Sequence, residues 1–414
     1  MAALRDCSRH RLIMKIGSRS GGRASLSNGP GNLPLALVIS AVLLSGFKCE
    51  AQVDPVSRNL LELGYDQPLS GHGPQAAYAY YYYNDPDYFS PNTALRMAIA
   101  PAYLDSEIGF KHLISPNTDV GLGISGGAYG DNYYEVRRGE YIESQSFYGD
   151  GGGASASIYQ LLDPGILIPL NFIARGGFHY STFSDTPSTS PSFKLPKDQV
   201  DAFTRIGLRF AGKQPTLYPD LGLELSVWFE RQRHFDDSPY GIDDDRNISL
   251  STNLYWLYAG LNYPFKNSGD KISFAVTVGD STDADRFSAW RLGGVLPLIS
   301  EFPLVLPGYY YEELTATRFA HFYAAYGIPL DRQHRWDLRI EAATADLRYL
   351  PGLEQQRDLQ TGAGCGITFS PKKKNYQVVL RYGYGFNAIR DGKEGAQSVG
   401  LLFQYDFNSR KKPD

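Results

Sequence analysis

From about residue 75 onward, apolar side chains alternate with polar or small ones in segments of about ten residues. The clearest alternation lies at 397–407, where the apolar face carries Val399, Leu401, Phe403, Tyr405 and Phe407. Leu402 is the exception on the opposite, polar face. Successive side chains of a β-strand point to opposite faces, so this period predicts strands with one apolar and one polar face. Such segments are typical of a transmembrane β-barrel that faces lipid outside and water inside.

These segments predict an all-β, antiparallel transmembrane barrel of about fourteen strands, within a range of about twelve to sixteen. The predicted strands are 75–83, 93–113, 118–133, 153–162, 168–181, 201–212, 220–233, 249–263, 270–280, 317–329, 333–344, 359–370, 374–387 and 396–407. Short and long connections alternate along this order. Bacterial single-chain barrels show this alternation, with an even strand number, because short turns lie at one end and long loops at the other.

The strand order also predicts the division of the chain. The barrel occupies 75–407, and 84–92 and 281–316 are among its long external loops. Residues 52–74 form a periplasmic lead-in or short plug before the barrel, and 408–414 form a C-terminal tail.

A soluble β-sandwich or propeller is the alternative fold, because strands with one solvated face also alternate. However, tyrosines cluster at Tyr80–Tyr83 and Tyr309–Tyr311, near predicted strand ends, where membrane proteins place their interfacial aromatic residues. No later stretch approaches about 18 uninterrupted apolar residues, so a helical membrane protein is excluded. A chain of this kind crosses a bilayer as a closed barrel.

The N-terminus combines basic residues with a short apolar run at 33–47. This predicts a signal peptide over 1–51, cleaved after Ala51, with an uncleaved membrane anchor as the alternative. Cys49 follows Lys48 rather than a small residue, which disfavours lipidation. Cleavage would leave Cys365 alone, so no internal disulfide is expected. Together with the barrel pattern, the signal predicts the outer membrane of a Gram-negative bacterium, with its lipid bilayer as a partner.

Composition supports strands and excludes one class of partner. The chain holds 30 Tyr and 22 Phe but 3 Met, which favours strand over helix. The formal net charge is −4 and charged residues make up 20%, so no basic surface indicates nucleic-acid binding.

Alternation also predicts which charged side chains face the lumen. They are Arg205, Arg209, Glu224, Glu230, Arg339, Glu341 and Arg381. Two interpretations are open: a charged lumen that selects ions, or ion pairs that fill the lumen. The sequence favours pairing.

Metal, cofactor and catalytic sites are weakly supported. One predicted external loop carries His234, Asp236, Asp237, Asp243, Asp244 and Asp245. A hard cation prefers clustered carboxylates, but this spacing fits no calcium loop, so a solvated acidic loop is favoured. Ser146 and Ser157 lack the context of a nucleophile, and the inward His321 is favoured as lumen filling over a catalytic dyad. We therefore expect no enzymatic activity, no metal and no cofactor.

The segment between the ninth and tenth predicted strands is the most distinctive. It contains Phe287-Ser288-Ala289-Trp290-Arg291-Leu292-Gly293-Gly294, then Leu306-Pro307-Gly308-Tyr309, then Glu312-Glu313-Leu314. It resembles the long loop of the BamA/TamA superfamily of outer-membrane assembly and translocation barrels. In that family an aromatic-x-Leu-Gly-Gly element leads to an Arg-Gly-Tyr or Arg-Gly-Phe tip that folds back into the lumen. The resemblance covers about 280–407, and five predicted strands follow the loop, as in the family.

The resemblance implies a barrel that moves or inserts polypeptide at the outer membrane. The residues it implies for the functional loop are Trp290, Arg291, Gly293, Gly294, Gly308 and Tyr309. A passive channel or porin, in which the same loop narrows the pore, is the first alternative. An outer-membrane hydrolase is the second.

Two features depart from the family pattern. Pro307 stands where the family has its tip arginine, and it offers neither a positive charge nor a backbone N–H. Glu341 aligns with the luminal acid that this arginine meets, and Arg291 is the candidate partner in its place. The chain also has no room before residue 75 for the periplasmic peptide-binding repeats of the best-known members.

Overall fold

The computed structural model describes residues 56–408 except 101–102, 128–131, 165–167, 212–221 and 298–301. Within these residues, sixteen long strands pair antiparallel in chain order and close into one barrel. The strands are β1 (Arg58–Pro68), β2 (Ala76–Asp85), β3 (Thr93–Ala100), β4 (Tyr103–Ser115), β5 (Thr118–Gly127), β6 (Phe147–Leu161), β7 (Leu170–Asp185), β8 (Gln199–Ala211), β9 (Gly222–His234), β10 (Ser251–Pro264), β11 (Lys271–Thr282), β12 (Leu314–Pro329), β13 (Trp336–Tyr349), β14 (Leu359–Phe369), β15 (Tyr376–Arg390) and β16 (Lys393–Asp406). The first and last strands pair from Leu60 opposite Asp406 to Pro68 opposite Ser398, which leaves no open edge.

The alternation of the sequence sets the two faces of the barrel wall. On β16, Leu401 is 49% exposed on the outer face, whereas its neighbour Leu402 is 5% exposed on the inner face. On β13, Ile340 points outward and Glu341 is buried inside. An outer surface that exposes so many large apolar side chains suits lipid rather than water.

The strand number corrects the sequence prediction of about fourteen. The segment 52–74, expected as a lead-in, contributes β1, which pairs on both sides with the barrel. The segment 93–113, expected as one strand, forms β3 and β4, which pair with each other. The barrel therefore spans 58–406 rather than 75–407.

The two missed strands change the position of one connection. We call the end where β1 begins and β16 ends the terminal end, and the opposite end the loop end. The connection 86–92 lies at the terminal end with the short turns, not among the long loops as expected. Because two strands were missed, the predicted direction of every strand from β5 onward is unchanged.

Helical structure is minor in the described part of the chain, where a single 3-10 turn covers Glu143–Gln145. No helix in these residues is long and apolar enough to cross a membrane. The predicted signal peptide, 1–51, and the tail after Asn408 lie outside the described residues.

Loops at the loop end pack against one another. Phe193–Lys194 pairs with Gly241–Ile242 from a different loop. An aromatic cluster joins these loops: Phe147 lies 4.9 Å from Tyr133 and 5.7 Å from Phe193 between ring centroids. Phe287, from the connection between β11 and β12, joins the same cluster at 4.9 Å from Tyr133. We call this assembly the cap.

Candidate functional site

The connection between β11 and β12, residues 283–313, enters the lumen and is called the internal loop. Its first arm, Trp290–Leu292, pairs with the start of β12. A bridge between Gly294 and Leu306 joins its two arms. Val295 and Leu306 have no solvent-accessible surface. The loop therefore packs as core rather than extending outward as an external loop does.

The tip of the loop, Pro307-Gly308, lies directly on the backbone of the barrel wall. Gly308 has φ +88°, and a side-chain carbon there would overlap the backbone nitrogen of Gly385 on β15. Likewise, a side chain at Gly362 would overlap the carbonyl of Pro307, and one at Gly383 would overlap Gly308. Only glycines permit two backbones to approach so closely. The tip and its glycine seat on β14 and β15 are therefore complementary in shape.

Polar contacts fix the tip beside this seat. The backbone N–H of Gly308 donates to Ser398 Oγ on β16 at 3.2 Å. The hydroxyl of Tyr309, a side chain with no exposed surface, donates to Gln360 Oε1 on β14 at 2.7 Å. Because both acceptors are themselves buried, losing either contact would leave a polar group without a partner.

A second anchor lies where β1 closes the barrel. The backbone N–H of Val295 donates to Asp66 Oδ2 on β1 at 2.8 Å. Val295 and Leu296 pack against the inward Leu402 of β16, and Gly400 leaves the space that they occupy. Leu402, the apolar exception on the polar face of its strand, therefore faces inward because it contacts the internal loop.

A third anchor is a buried ion pair at the foot of the loop. Arg390, at the end of β15, donates from two nitrogens to the two carboxylate oxygens of Glu313, at 2.9 and 2.6 Å. The side chains are 3% and 1% exposed. The guanidinium also lies 3.6 Å from the ring centroid of Tyr310, whose backbone N–H donates to Glu313. Bidentate charge-assisted bonds of this kind fix orientation as well as proximity.

Glu341 is the luminal acid expected to meet the loop, but its partners come from the wall. Arg339 lies 3.1 Å and Arg381 3.5 Å from its carboxylate, and the Tyr323 hydroxyl donates to it at 2.5 Å. Arg291, the candidate partner, lies instead 3.9 Å from Glu312. The expected pairing of Arg291 with Glu341 is therefore wrong.

Arg381 nevertheless connects Glu341 to the loop. Its Nη1 donates to the backbone carbonyl of Val295 at 3.3 Å. An arginine on β15 thus occupies the position between the acid and the loop, which the resemblance assigned to an arginine on the tip.

Arg291 belongs to the upper part of the loop, near the cap. Its guanidinium lies 5.9 Å from the ring centroids of both Tyr133 and Tyr134. The Tyr134 hydroxyl in turn donates to the backbone carbonyl of Tyr311. Gly293 and Gly294 both have positive φ, at +139° and +89°, where the chain turns between the arm and the anchor at Val295.

A buried carboxylate joins the cap to the internal loop. Glu135 lies 3.0 Å from Arg246 of the cap and 2.8 Å from Arg286 of the loop. Burial acts to raise the pKa of Glu135, but the guanidinium groups of Arg246 and Arg286 hold that pKa below its ordinary value. Arg137 also donates to this carboxylate. The carboxylate is therefore charged at neutral pH and links two segments.

Acid should loosen this link. Since the pKa of Glu135 is lower in the folded protein, its contribution to stability is complete above the ordinary carboxyl pKa of about 4.3 and is lost as pH falls below it. We expect cap-to-loop contacts to weaken below about pH 4 in the wild type. Tyrosine and tryptophan near-ultraviolet circular dichroism, followed against pH, measures this change. Glu135→Gln should give a weaker signal at pH 7 and a flatter profile, and an unaltered profile in this variant would contradict the assignment.

The remaining predicted lumen charges form ion pairs on the wall. Arg209 lies 3.1 Å from Glu224, and Arg205 pairs with Glu230. The sequence did not single out a further network on β3, β4 and β7, where Asp105 lies 3.2 Å from Arg96 and 3.0 Å from Arg175.

Other candidate residues do not assemble into a site. The acidic loop pairs with neighbouring loops, through Lys194 with Asp244 at 2.6 Å and Lys197 with Asp236 at 3.9 Å. No cluster able to hold a metal occurs in the described residues. His321 is buried, with its Nε2 2.8 Å from the carbonyl of Val305 in the internal loop. Ser157 donates to Glu107, and Ser146 contacts the Tyr141 hydroxyl.

Solved structures of similar fold include two barrels from larger proteins. CdiB from Acinetobacter baumannii superposes with a TM-score of 0.56 and 9% identity, over 85% of this chain and 60% of that one. BamA from Haemophilus ducreyi lacking POTRA domains 1–3 gives a TM-score of 0.51 and 9% identity, over 89% and 78% of the two chains. OprB from Pseudomonas putida gives a TM-score of 0.46 and 12% identity, over 84% of this chain and 94% of that one.

The sequence itself matches neither a protein-family model nor a curated protein. The chain spans less than two thirds of CdiB. At such low identity, the likeness to CdiB and BamA shows the fold alone: this chain is a closed β-barrel similar to theirs.

Proposed function

We propose that this chain is an outer-membrane barrel of the BamA/TamA type that moves or inserts polypeptide, with the internal loop as its closure. One observation carries the proposal: the tip of the loop is docked on a glycine seat inside the lumen. The proposal assigns the chain no catalytic role, no cofactor and no nucleic-acid partner. Its partners are the outer-membrane bilayer and a translocated or inserted polypeptide.

The path of the loop supports a closure. Its tip contacts β14 and β15, while Phe302 lies 5.9 Å from Trp228 and from Trp256 on β9 and β10, between ring centroids. The loop therefore touches two parts of the wall that are distant around the barrel, and it crosses the lumen between them. Five strands, β12–β16, follow it, as in the family that the sequence resembles.

A passive channel is the second candidate. The ion pairs on β3–β9 line the part of the wall away from the tip of the loop, and a charged wall is what selects ions in porins. In a channel, the internal loop would narrow the pore permanently instead of leaving it.

Single-channel conductance of the refolded barrel distinguishes the two functions. The comparison is between the intact protein and a variant lacking residues 296–313. If the loop is a closure, the intact barrel is nearly closed and the deletion opens a large, stable pore. Steady conductance of the intact barrel, little changed by the deletion, would favour the channel. A difference in migration between unheated and heated samples on denaturing gels confirms that both barrels have folded.

Movement of polypeptide needs its own measurement. In the opened variant, an unfolded, uncharged polypeptide added to one side should interrupt the current for times that grow with its length. An uncharged synthetic polymer of equal size is the control for simple blockage. If the two give interruptions of equal length, the barrel has no preference for polypeptide and the transport proposal fails.

A further inference from the structure

Aromatic rings form a band on the outer face of the barrel at the terminal end of β13–β16. Each of these strands contributes one ring, from Trp336, Phe369, Tyr376 and Phe403 in turn. The centroids of successive rings lie 4.7, 6.2 and 6.1 Å apart, and Trp336 is 43% exposed. Membrane barrels carry such girdles where the hydrocarbon meets the headgroups. The band therefore indicates the level of the membrane interface on this side of the barrel.

Two basic turns lie beside this band. They are 330–335, between β12 and β13, and 370–375, between β14 and β15. The backbone N–H of Ser370 donates to the carbonyl of Arg335 at 2.7 Å, so the two turns are direct neighbours. They hold one Asp and five Lys or Arg residues, which we call the basic rim: Arg332, Arg335, Lys372, Lys373 and Lys374.

The one carboxylate in these turns is occupied locally. Asp331 accepts the backbone N–H groups of Arg335 at 2.7 Å and Trp336 at 3.0 Å. Its second oxygen lies 3.3 Å from Nε of Arg335. Three exposed members of the rim take part in no ion pair within the described residues: Arg332, Lys372 and Lys373. The rim therefore presents positive charge to its surroundings.

The opposite end of the same strands carries the opposite charge. The rim turns have a net charge of +4, from five basic residues and one acidic residue. The connections at the loop end, 350–358 and 391–392, have three acidic residues and one basic residue, a net charge of −2. A positive partner at the terminal end is thus disfavoured, and an anionic one is favoured.

We propose that the basic rim binds the phosphate groups of anionic phospholipids in the leaflet that the terminal end reaches. Lysine and arginine stems follow an apolar surface and place their charges at the headgroups, and a guanidinium binds phosphate through two hydrogen bonds. An acidic polypeptide is the competing occupant. The aromatic band favours lipid, because it puts the cations at the membrane interface. This inference rests on the membrane placement in the proposed function, but not on the movement of polypeptide.

Trp336 can report which lipid lies beside the rim. The chain holds 4 Trp, and the other three lie inside the barrel: Trp228 and Trp256 contact Phe302 of the internal loop, and Trp290 belongs to that loop. A brominated acyl chain quenches a tryptophan on contact. The barrel is reconstituted in phosphatidylcholine vesicles with a minor fraction of brominated phosphatidylglycerol, or of brominated phosphatidylcholine. Trp336→Phe should abolish the quenching, which verifies the reporter.

We expect the anionic lipid to be preferred at Trp336 roughly fivefold at low salt, the effect of about one cation at an anionic surface. The preference should largely disappear in 1 M salt, where the Debye length is about 3 Å. Lys372→Gln with Lys373→Gln should lower it to about twofold or less. Lys194→Gln with Lys197→Gln removes the same charge from exposed sites at the loop end and should leave the preference unchanged.

Equal quenching by the two lipids would overturn the proposal. So would a preference that the rim variant retains, or one that both variants lower alike. Binding of an oligoglutamate peptide that depends on Lys372 and Lys373, without any lipid preference, would assign the rim to polypeptide instead. If neither lipid quenches Trp336, this face does not meet lipid, and the membrane placement in the proposed function fails as well. Because quenching at Trp336 does not report on the internal loop, the closure and the lipid site are tested separately.

Discussion

Gly308→Ala is expected to open the barrel. The added methyl group would overlap the backbone of β15, which has no flexible side chain that can move aside. Overpacking of this kind costs about 1–3 kcal/mol. The ratio of docked to undocked loop should therefore fall roughly 5- to 150-fold. In single-channel recordings, openings should become correspondingly more frequent, with no change in the folded fraction of the barrel.

Gly392→Ala is the matched control for this experiment. Gly392 also has positive φ, at +73° against +88° for Gly308, but a side-chain carbon there meets nothing within 4 Å. Both variants therefore carry a similar backbone strain, and they differ in the contact with the wall. If the two variants conduct alike, the tip does not hold the loop, and the closure must depend on other anchors.

The period of two in the sequence was enough to predict the barrel and the direction of most strands. The failures have identifiable causes. The segment 93–113 is about twice the length of a membrane-spanning strand, and Pro101, which cannot donate to a sheet, marks its middle. Together these features predict that the segment divides into two strands, as β3 and β4 do. The alternation of short and long connections could not reveal the error. Because two strands were missed, every later connection still lies at the end of the barrel where it was expected.

The missed first strand also concealed part of the site. The apolar residues Leu60, Leu61 and Leu63 form a pattern too weak to predict a strand, so this segment was expected to be a lead-in. As a result Asp66, which accepts the N–H of Val295, was not a candidate. Its distance from the loop in sequence is large, and barrel closure alone brings the two together.

The resemblance predicted the loop but not its anchors. Glu341 was the expected luminal acid, yet alternation does not determine which cation reaches it. Arg381 is inward on β15, two strands away from Glu341 on β13. On the strand between them, Gly364 lies opposite Glu341 and Gly366 opposite Arg381, and neither glycine has a side chain that would separate the two charges. Such pairs depend on register between strands, which no single segment of sequence contains.

Glu313→Ala is expected to have the largest effect on stability. It would leave Arg390, 3% exposed, without its carboxylate and close to the ring of Tyr310. Removing one partner of a buried ion pair costs about 3–5 kcal/mol, because the remaining charge is buried without compensation. Urea-induced unfolding in lipid vesicles, followed by tryptophan fluorescence, should show a free energy of unfolding lowered by that amount.

A surface pair at the same end of the barrel is the control for charge alone. Arg357 and Glu394 lie 2.6 Å apart but are 55% and 48% exposed. Glu394→Ala should therefore cost about 0–1 kcal/mol, since water screens such pairs. A similar loss in both variants would mean that burial does not determine the effect at Glu313.

The double variant Glu313→Leu with Arg390→Met separates two contributions to stability. One is the net stabilisation by the intact ion pair, and the other is the cost of leaving one buried charge without its partner. Replacing both partners of a buried pair by apolar side chains is often neutral or stabilising. We therefore expect the double variant to recover most of the stability lost in Glu313→Ala, although it lacks the bidentate contact that orients the foot of the internal loop. If the pair serves orientation, conductance of the double variant should rise even though its stability is restored. A barrel that is both stable and closed without this pair would show that the glycine seat and Asp66 hold the loop by themselves.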